Sequence, residues 1–306
     1  VLTWTIGSGG LIGSAIVRHA ARPFTAGPIP WPDAAVALTG LRGELGRFRE
    51  QAFGGSWGIV WAAGAATTST GEEDARREAE LFASFARAVA SASMPPGGGV
   101  VLCSSAGGVH AGSTHPPFAD DTPPAPISPY GRARLAQEQA AAAIIGPSVP
   151  VVVARISNVY GPGQKLDKLQ GLVSRLAISA ITREPLNLFV PLSTVRDYIY
   201  VDDVAAAIHA WLGVVATSRP GARTRIIASG EGTSVGQLLR TAQDIAHRKV
   251  PVAMGTHPSS TMQAPDLRFV PSPLPGGLVL PATPLPVGMK RVFDDVRWRL
   301  QHADVG

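Results

Sequence analysis

Apolar residues along the chain fall into short runs separated by longer amphipathic stretches. Residues 2–6, the run Leu2-Thr3-Trp4-Thr5-Ile6, read as a buried strand, and residues 14–21 then carry helical spacing. A second strand is expected within 23–29, followed by a helix over 33–53 for which Asp33 is a candidate N-cap. Residues 57–63 form another apolar run, ending in the small residues Gly64, Ala65 and Ala66. A long amphipathic helix is expected over 72–92, a loop over 95–99, a strand over 100–103, a helix over 129–143 and a strand over 151–154.

This alternation predicts an α/β fold, a parallel sheet covered by helices on both faces. Right-handed crossovers would then bring the loops at the carboxyl ends of the strands to one edge. Residues 7–13, 62–66 and 104–108 all lie at such ends, so three loops with suggestive chemistry converge. Beyond Asn158 proline and glycine become frequent, above all over 251–286. A first unit is expected from 1–159 with 199–221, and a smaller substrate-holding unit from 160–198 and 222–306. The helical pattern of 201–215 should pack back onto the sheet.

Charge narrows the partners. The formal net charge is +5, and only Lys165, Lys168, Lys249 and Lys290 of the 27 basic residues are lysines. The basic residues are scattered, which argues against nucleic acid and suits a small anion such as a diphosphate. No apolar run reaches the roughly 18 to 20 residues that span a bilayer, so no membrane association is expected. The start of the chain lacks a basic n-region, and no signal peptide is expected. Cys103 is the single cysteine, which excludes an intramolecular disulfide and fits a reducing cytoplasm. No metal site is implied.

The candidate chemistry lies on the converging loops. Gly7, Gly10 and Gly13 are three apart, follow a strand and open a helix. The first allows a tight turn, the second lets backbone approach a pyrophosphate, and the third lets helix and strand pack closely. Gly7, Gly10, Leu11, Ile12 and Gly13 are therefore expected to hold a dinucleotide against a helix N-terminus, with Ala62, Ala63 and Gly64 beside it. Asp33 is either the acid that would hold the ribose hydroxyls of NAD or a helix cap, and the second is favoured. No arginine just after the second strand marks NADP, so the cofactor is NAD or NADP. Ser104-Ser105 ends a strand, and Tyr130 and Arg134 are four apart on one helical face. A phenol near a fixed cation exchanges a proton more readily, because the cation favours phenolate. Ser105 is placed to polarise a substrate oxygen, with Ser104 the weaker choice.

The motifs resemble the extended short-chain dehydrogenase/reductase family, in its nucleotide-sugar epimerase, dehydratase and ketoreductase branch. The likeness rests on Gly7-Ser8-Gly9-Gly10-Leu11-Ile12-Gly13, Ala62-Ala63, Ser104-Ser105-Ala106-Gly107-Gly108, Ser128-Pro129-Tyr130, Arg155-Ile156-Ser157-Asn158-Val159-Tyr160-Gly161-Pro162-Gly163-Gln164 and Arg196-Asp197-Tyr198-Ile199-Tyr200-Val201-Asp202-Asp203-Val204. It implies a Rossmann-type doubly wound parallel sheet with a smaller C-terminal α/β substrate domain. Ser105, Tyr130 and Arg134 take the catalytic positions, Tyr130 and Arg134 also meeting the cofactor; Arg134 stands where lysine is usual. Ser105, Ala106, Asn158, Lys165, Lys168 and Arg196 would meet a nucleotide-sugar substrate. Arg196 either touches ligand or pairs internally with Asp197, and Asp202-Asp203 either caps the following helix, the favoured reading, or does acid–base work. His110 and His115 offer an extra acid or, as the favoured reading, stand in solvent. The implied activity is hydride transfer on a nucleotide-activated sugar, as a 4-epimerase or 4-ketoreductase. No acid/base pair follows Ser105, so dehydration ranks last. A non-catalytic cofactor-binding protein and a reductase of non-sugar carbonyls stay open. The resemblance also implies a homodimer paired through the helices over 72–92 and 129–143.

Overall fold

A computed structural model describes residues 1–166, 171–255, 263–279 and 282–302. In chain order the first elements are β1 (Leu2–Ile6), α1 (Leu11–His19), β2 (Arg22–Pro23), α2 (Ala34–Ala52), β3 (Trp57–Trp61), α3 (Glu72–Ser91), β4 (Gly98–Ser105), α4 (Ala106–Val109) and α5 (Pro129–Ala140). There follow β5 (Pro150–Ile156), β6 (Asn158–Tyr160), α6 (Leu172–Thr182), β7 (Leu186–Leu188), β8 (Val195–Tyr200), α7 (Val201–Val215) and β9 (Gly221–Ile227). The last are β10 (Gly232–Ser234), α8 (Val235–Ala246), β11 (Val252–Met254), β12 (Asp266–Leu267) and α9 (Leu285–His302).

Among the described residues six parallel strands form the main sheet in the order β2-β1-β3-β4-β5-β9. Alternate residues of each strand serve opposite faces. Trp4, Trp57, Ile59, Trp61, Val100, Leu102, Val151 and Val153 pack with Leu41, Phe48, Phe82 and Phe85 of α2 and α3. Val60, Val101, Val152 and Ala154 pack on the other face with Ile16 of α1 and Val204, Ile208 and Leu212 of α7. Both faces being covered explains why these strands read as near-continuous apolar runs. The chain runs from β1 outward to β2 and then returns to place β3 on the opposite side of β1, so the strand order reverses beside β1. A crevice opens at that reversal, outside the carboxyl ends of the strands.

A second core joins Val173 and Leu176 of α6, Leu238 of α8, and Val292 and Phe293 of α9 around Tyr160 and Tyr200. Its strands are short: β8 pairs with β6, β10 and β12, and β7 pairs with β11. Residues 222–227, grouped with the second unit by sequence, run as β9 at the edge of the main sheet.

Local chemistry accounts for where elements differ from expectation. The second strand is only Arg22–Pro23, because Pro23 offers no N–H to a ladder and Pro28, Pro30 and Pro32 follow. Asp33 caps α2, its Oδ1 accepting from the N–H groups of Ala35 (2.8 Å) and Val36 (3.0 Å). The helix after Ser128 is regular to Ala140 and continues as a π-helical turn, Ala141–Ile145. Asp202 and Asp203 lie in the first turn of α7, but their carboxylates face Arg18 (3.0 Å) and Thr283 (2.8 and 2.9 Å) instead of capping the helix. Among the described residues no helix is long and apolar enough to cross a membrane.

Candidate active site

At the first turn, backbone crowds so closely that side chains are excluded. A Cβ on Gly7, where φ is 91°, would lie 2.6 Å from the Ala63 nitrogen, and one on Gly13 would lie 2.1 Å from the Gly7 carbonyl oxygen. At Gly9 a Cβ would meet nothing within 4 Å, so open space faces the turn there. Helix α1 starts at Leu11 after the N-cap Gly10, with no side-chain cap and no acid in its first turn, leaving its first N–H groups for an anion. A cavity of about 550 Å³ lies against this turn, walled by Gly7, Gly9, Gly10 and Leu11, by Trp31 and Trp61, and by Ala62, Ala63 and Gly64 after β3. A glycine cradle with free helix N–H groups fits the diphosphate of a dinucleotide.

A second cavity, of about 470 Å³, lies at the ends of β4 and β5. Ser105 closes β4, and its Oγ accepts the Gly108 N–H at 3.1 Å, which caps the short α4. Tyr130 lies in the first turn of α5, where Pro129 opens the helix and Ser128 caps it through the Gly131 N–H (3.1 Å). A methyl on Gly108 would sit 2.8 Å from Tyr130 Cε1 and 3.3 Å from Ser105 Oγ. The bare Gly108 backbone therefore lets phenol ring and hydroxyl close on one spot. Because Ser105 Oγ already accepts a hydrogen bond, its own proton is free to point into the cavity.

Arg134 is buried and stands behind Tyr130, its guanidinium carbon 5.2 Å from the ring centroid. Its Nη1 donates to Gln137 Oε1 at 3.0 Å, and its Nη2 would be 2.4 Å from a Cβ on Gly64. The cation thus bridges α5 and the loop after β3, and among the described residues it forms no ion pair. Gln164 lines both cavities, so the two are neighbours along one crevice.

A family model described as "NAD dependent epimerase/dehydratase family" matches residues 56–226, the stretch that carries Ala62 through Tyr198. The chain belongs to that family. Among curated relatives, dTDP-L-rhamnose 4-epimerase of Burkholderia thailandensis is 36% identical over 128 residues, 41% of this chain and 34% of that protein. A dTDP-4-dehydro-6-deoxyglucose reductase of Escherichia coli is 30% identical over 112 residues, 35% of this chain and 34% of that protein. The chain thus matches about a third of the length of these relatives. Among solved structures, Thermus thermophilus UDP-glucose 4-epimerase in complex with NAD shares the fold with a TM-score of 0.78 at 22% identity, covering 97% of this chain and 99% of that one.

Of the other residues singled out by sequence, Ile12, Asn158 and Arg196 line the Ser105–Tyr130 cavity. Lys165 lies instead on the wall of the glycine-turn cavity. Ala106 packs away from both, against Phe118, Ile226, Leu267 and Phe269. Lys168 lies outside the described residues. Arg196 and Asp197 are successive strand residues and do not pair. Asp197 accepts from Ser157 Oγ (2.6 Å) and from the N–H groups of Ser229 (2.9 Å) and Gly230 (2.8 Å). Arg196 donates to the Val195 carbonyl (2.8 Å), and burial lowers its proton affinity. Burial pushes the neighbouring Tyr198 up to about 12 against the pull of Arg196, so this phenol stays protonated on the cavity wall.

Sequence reasoning missed two features. Glu78 of α3 accepts from the N–H groups of Ala65 (2.6 Å) and Ala66 (2.7 Å), fixing the loop beside the glycine turn. A buried network also runs beneath α5. Ser104 Oγ donates to Glu138 (2.6 Å), Arg155 forks onto Glu138 (2.7 Å at its shortest), and Arg155 Nη1 donates to His110 Nε2 (3.1 Å). His110 is therefore buried, neither in solvent nor on a cavity wall. Burial, then the charge of Arg155, push it down to about 4, so it is neutral and can accept. Burial pushes the Cys103 thiol up to about 12, which leaves it unreactive.

Proposed function

We propose that the protein is an NAD(P)-dependent enzyme of nucleotide-sugar metabolism, of the 4-epimerase or 4-ketoreductase type. The observation that carries the reading is the closure of Ser105 and Tyr130 on one spot beside the glycine-turn cavity, with Arg134 stacked behind the phenol. The nicotinamide, when bound, supplies the centre that gains or gives a hydride. Ser105 donates its free proton to the substrate oxygen and holds it. Tyr130 exchanges the proton that must leave or reach that oxygen as the hydride moves. Arg134 backs the phenol ring with its guanidinium, and a guanidinium does not pass on a proton, so no relay to solvent runs through it.

Arg196 is a buried cation on the substrate cavity, and this supports an anionic ligand such as a nucleoside diphosphate group. Asn158, Ser157 and Tyr198 add neutral donors and acceptors for sugar hydroxyls. Lys165, on the other wall, suits the cofactor diphosphate as well as the substrate's. Residues 104–111 bring no carboxylate beside Tyr130, which supports epimerisation or reduction over dehydration. The first unit would hold cofactor and the second the nucleotide. The reading also proposes a cytoplasmic homodimer paired through α3 and α5, whose position sizing chromatography would check.

The exchange of lysine for Arg134 is the observation behind a second reading, a cofactor-binding protein without turnover. Incubation with NAD, NADH, NADP or NADPH and a panel of dTDP- and UDP-sugars, with products resolved by mass spectrometry, separates the two. Conversion supports the enzyme. Cofactor binding with no conversion, unchanged in Arg134→Lys, supports the other.

A further inference from the structure

Asp33, the acid that sequence reasoning weighed for the adenosine ribose, is not among the residues that line the glycine-turn cavity. Asp33 is engaged with the first turn of α2, and Glu78 Oε1 is engaged with Ala65 and Ala66. What the wall offers instead is an indole. Trp31 lines the glycine-turn cavity and is 41% exposed, so a broad aromatic surface faces the space a ligand would enter.

Its place is fixed by rigid surroundings. Pro30 and Pro32 flank it, the Trp31 backbone N–H donates to the Ile29 carbonyl (3.0 Å), and the Asp33 N–H reaches the Pro30 carbonyl (3.4 Å). The ring meets Trp61 edge to face at 6.4 Å, and Trp61 is buried on Phe82 (5.1 Å) and Phe85 (5.2 Å). Topology decides which half of a dinucleotide it would meet. Ser105 and Tyr130 mark the nicotinamide end, at the carboxyl end of β4. Trp31 follows β2, on the far side of β1 from β4, with the glycine turn between.

We propose that Trp31 is the platform on which the adenine ring of the cofactor stacks, in place of ribose recognition by a carboxylate. This rests on the cofactor reading above. Stacking draws on the flat face of the base and the indole, so phenylalanine should serve nearly as well and alanine should not.

Calorimetric titration of wild type, Trp31→Ala and Trp31→Phe with NAD, ADP-ribose and nicotinamide mononucleotide tests it without any turnover. Trp31→Ala is expected to bind NAD and ADP-ribose roughly 5- to 150-fold more weakly, the range that one base–aromatic stack supplies. Trp31→Phe is expected to stay within about threefold of wild type, and the mononucleotide should bind all three proteins alike. Equal ADP-ribose affinity in wild type and Trp31→Ala overturns the proposal. So does an equal loss in both variants, or a loss extending to the mononucleotide, since either makes Trp31 a packing residue. Wild type that binds neither NAD nor ADP-ribose overturns the cofactor reading itself, and this one with it.

Discussion

Exchanging Glu138 for glutamine is expected to destabilise the fold by about 3 to 5 kcal/mol, although it changes one atom. Glu138 and Arg155 each expose 6% of their side chains, and the fork between them has contacts at 2.7, 3.1 and 3.1 Å. Glutamine keeps the shape and most hydrogen bonds but leaves the Arg155 cation inside a strand covered on both faces. Among the described residues the only other side chain that Arg155 bonds is His110, which is neutral and cannot balance charge. The exposed pair Arg76–Glu80, with side chains 61% and 59% exposed, is an internal control, and Glu80→Gln should cost under about 0.5 kcal/mol. Urea unfolding followed by tryptophan fluorescence and circular dichroism measures both. Removing the pair together, as Glu138→Leu with Arg155→Met, should recover most of the loss, because apolar groups of similar volume replace both desolvated charges. A loss in Glu138→Gln no larger than in Glu80→Gln would refute the reasoning, as would a double variant weaker than the single one. The network has a functional side too. Tyr130, Arg134 and Glu138 follow at four-residue steps on one face of α5, so anchoring Glu138 to β4 and β5 also positions the phenol.

Two further outcomes follow from the site. His110 protonates near 6.5 in an unfolded chain but near 4 in the native one, so the stability it lends is full above pH 6.5 and is lost as pH falls toward 4. His110→Gln, which keeps an acceptor for Arg155, should therefore lose about 2 kcal/mol less than wild type between roughly pH 7 and pH 5 in urea unfolding; parallel losses would contradict the assignment. Gly64→Ala places a methyl 2.4 Å from Arg134 Nη2 at a φ of 152°, and should cost about 1 to 3 kcal/mol of stability and lower turnover together, read by thermal unfolding and steady-state kinetics. Wild-type values of both would show that Arg134 has room to move.

Much of this was legible in the chain because burial on both sheet faces writes itself as apolar runs. The glycine turn, Ser105, Tyr130 and Arg134 were legible because their spacing is local: a strand end, a turn, four residues along a helix. Asp33 was legible as a cap for the same reason. Edges and long-range pairs were not. The second strand shrank to two residues because prolines remove ladder donors, a signal that was present but outweighed by the apolar content of residues 23–29. Gly98 and Gly99 looked like loop yet begin β4: the Trp57 ring fills the space a side chain would take at Gly98, and Val215 with the Pro150 carbonyl fills it at Gly99. Glu138 and Arg155 are 17 positions apart, and nothing local pairs them. One clue existed: Arg155 interrupts an otherwise apolar buried strand, and a charge placed there needs a partner. The place of Trp31 on the cavity wall was invisible because it depends on the order reversal beside β1, which only the assembled sheet shows.

The central claim, that the Tyr130 hydroxyl exchanges the substrate proton beside a bound nicotinamide, is tested most directly by Tyr130→Phe. The variant keeps the ring that Arg134 stacks on and removes only the oxygen. NAD affinity by calorimetry should stay within about threefold of wild type, while turnover of whichever nucleotide-sugar the wild type converts should fall by about 10² to 10⁴. Turnover at the wild-type rate in Tyr130→Phe would contradict the account.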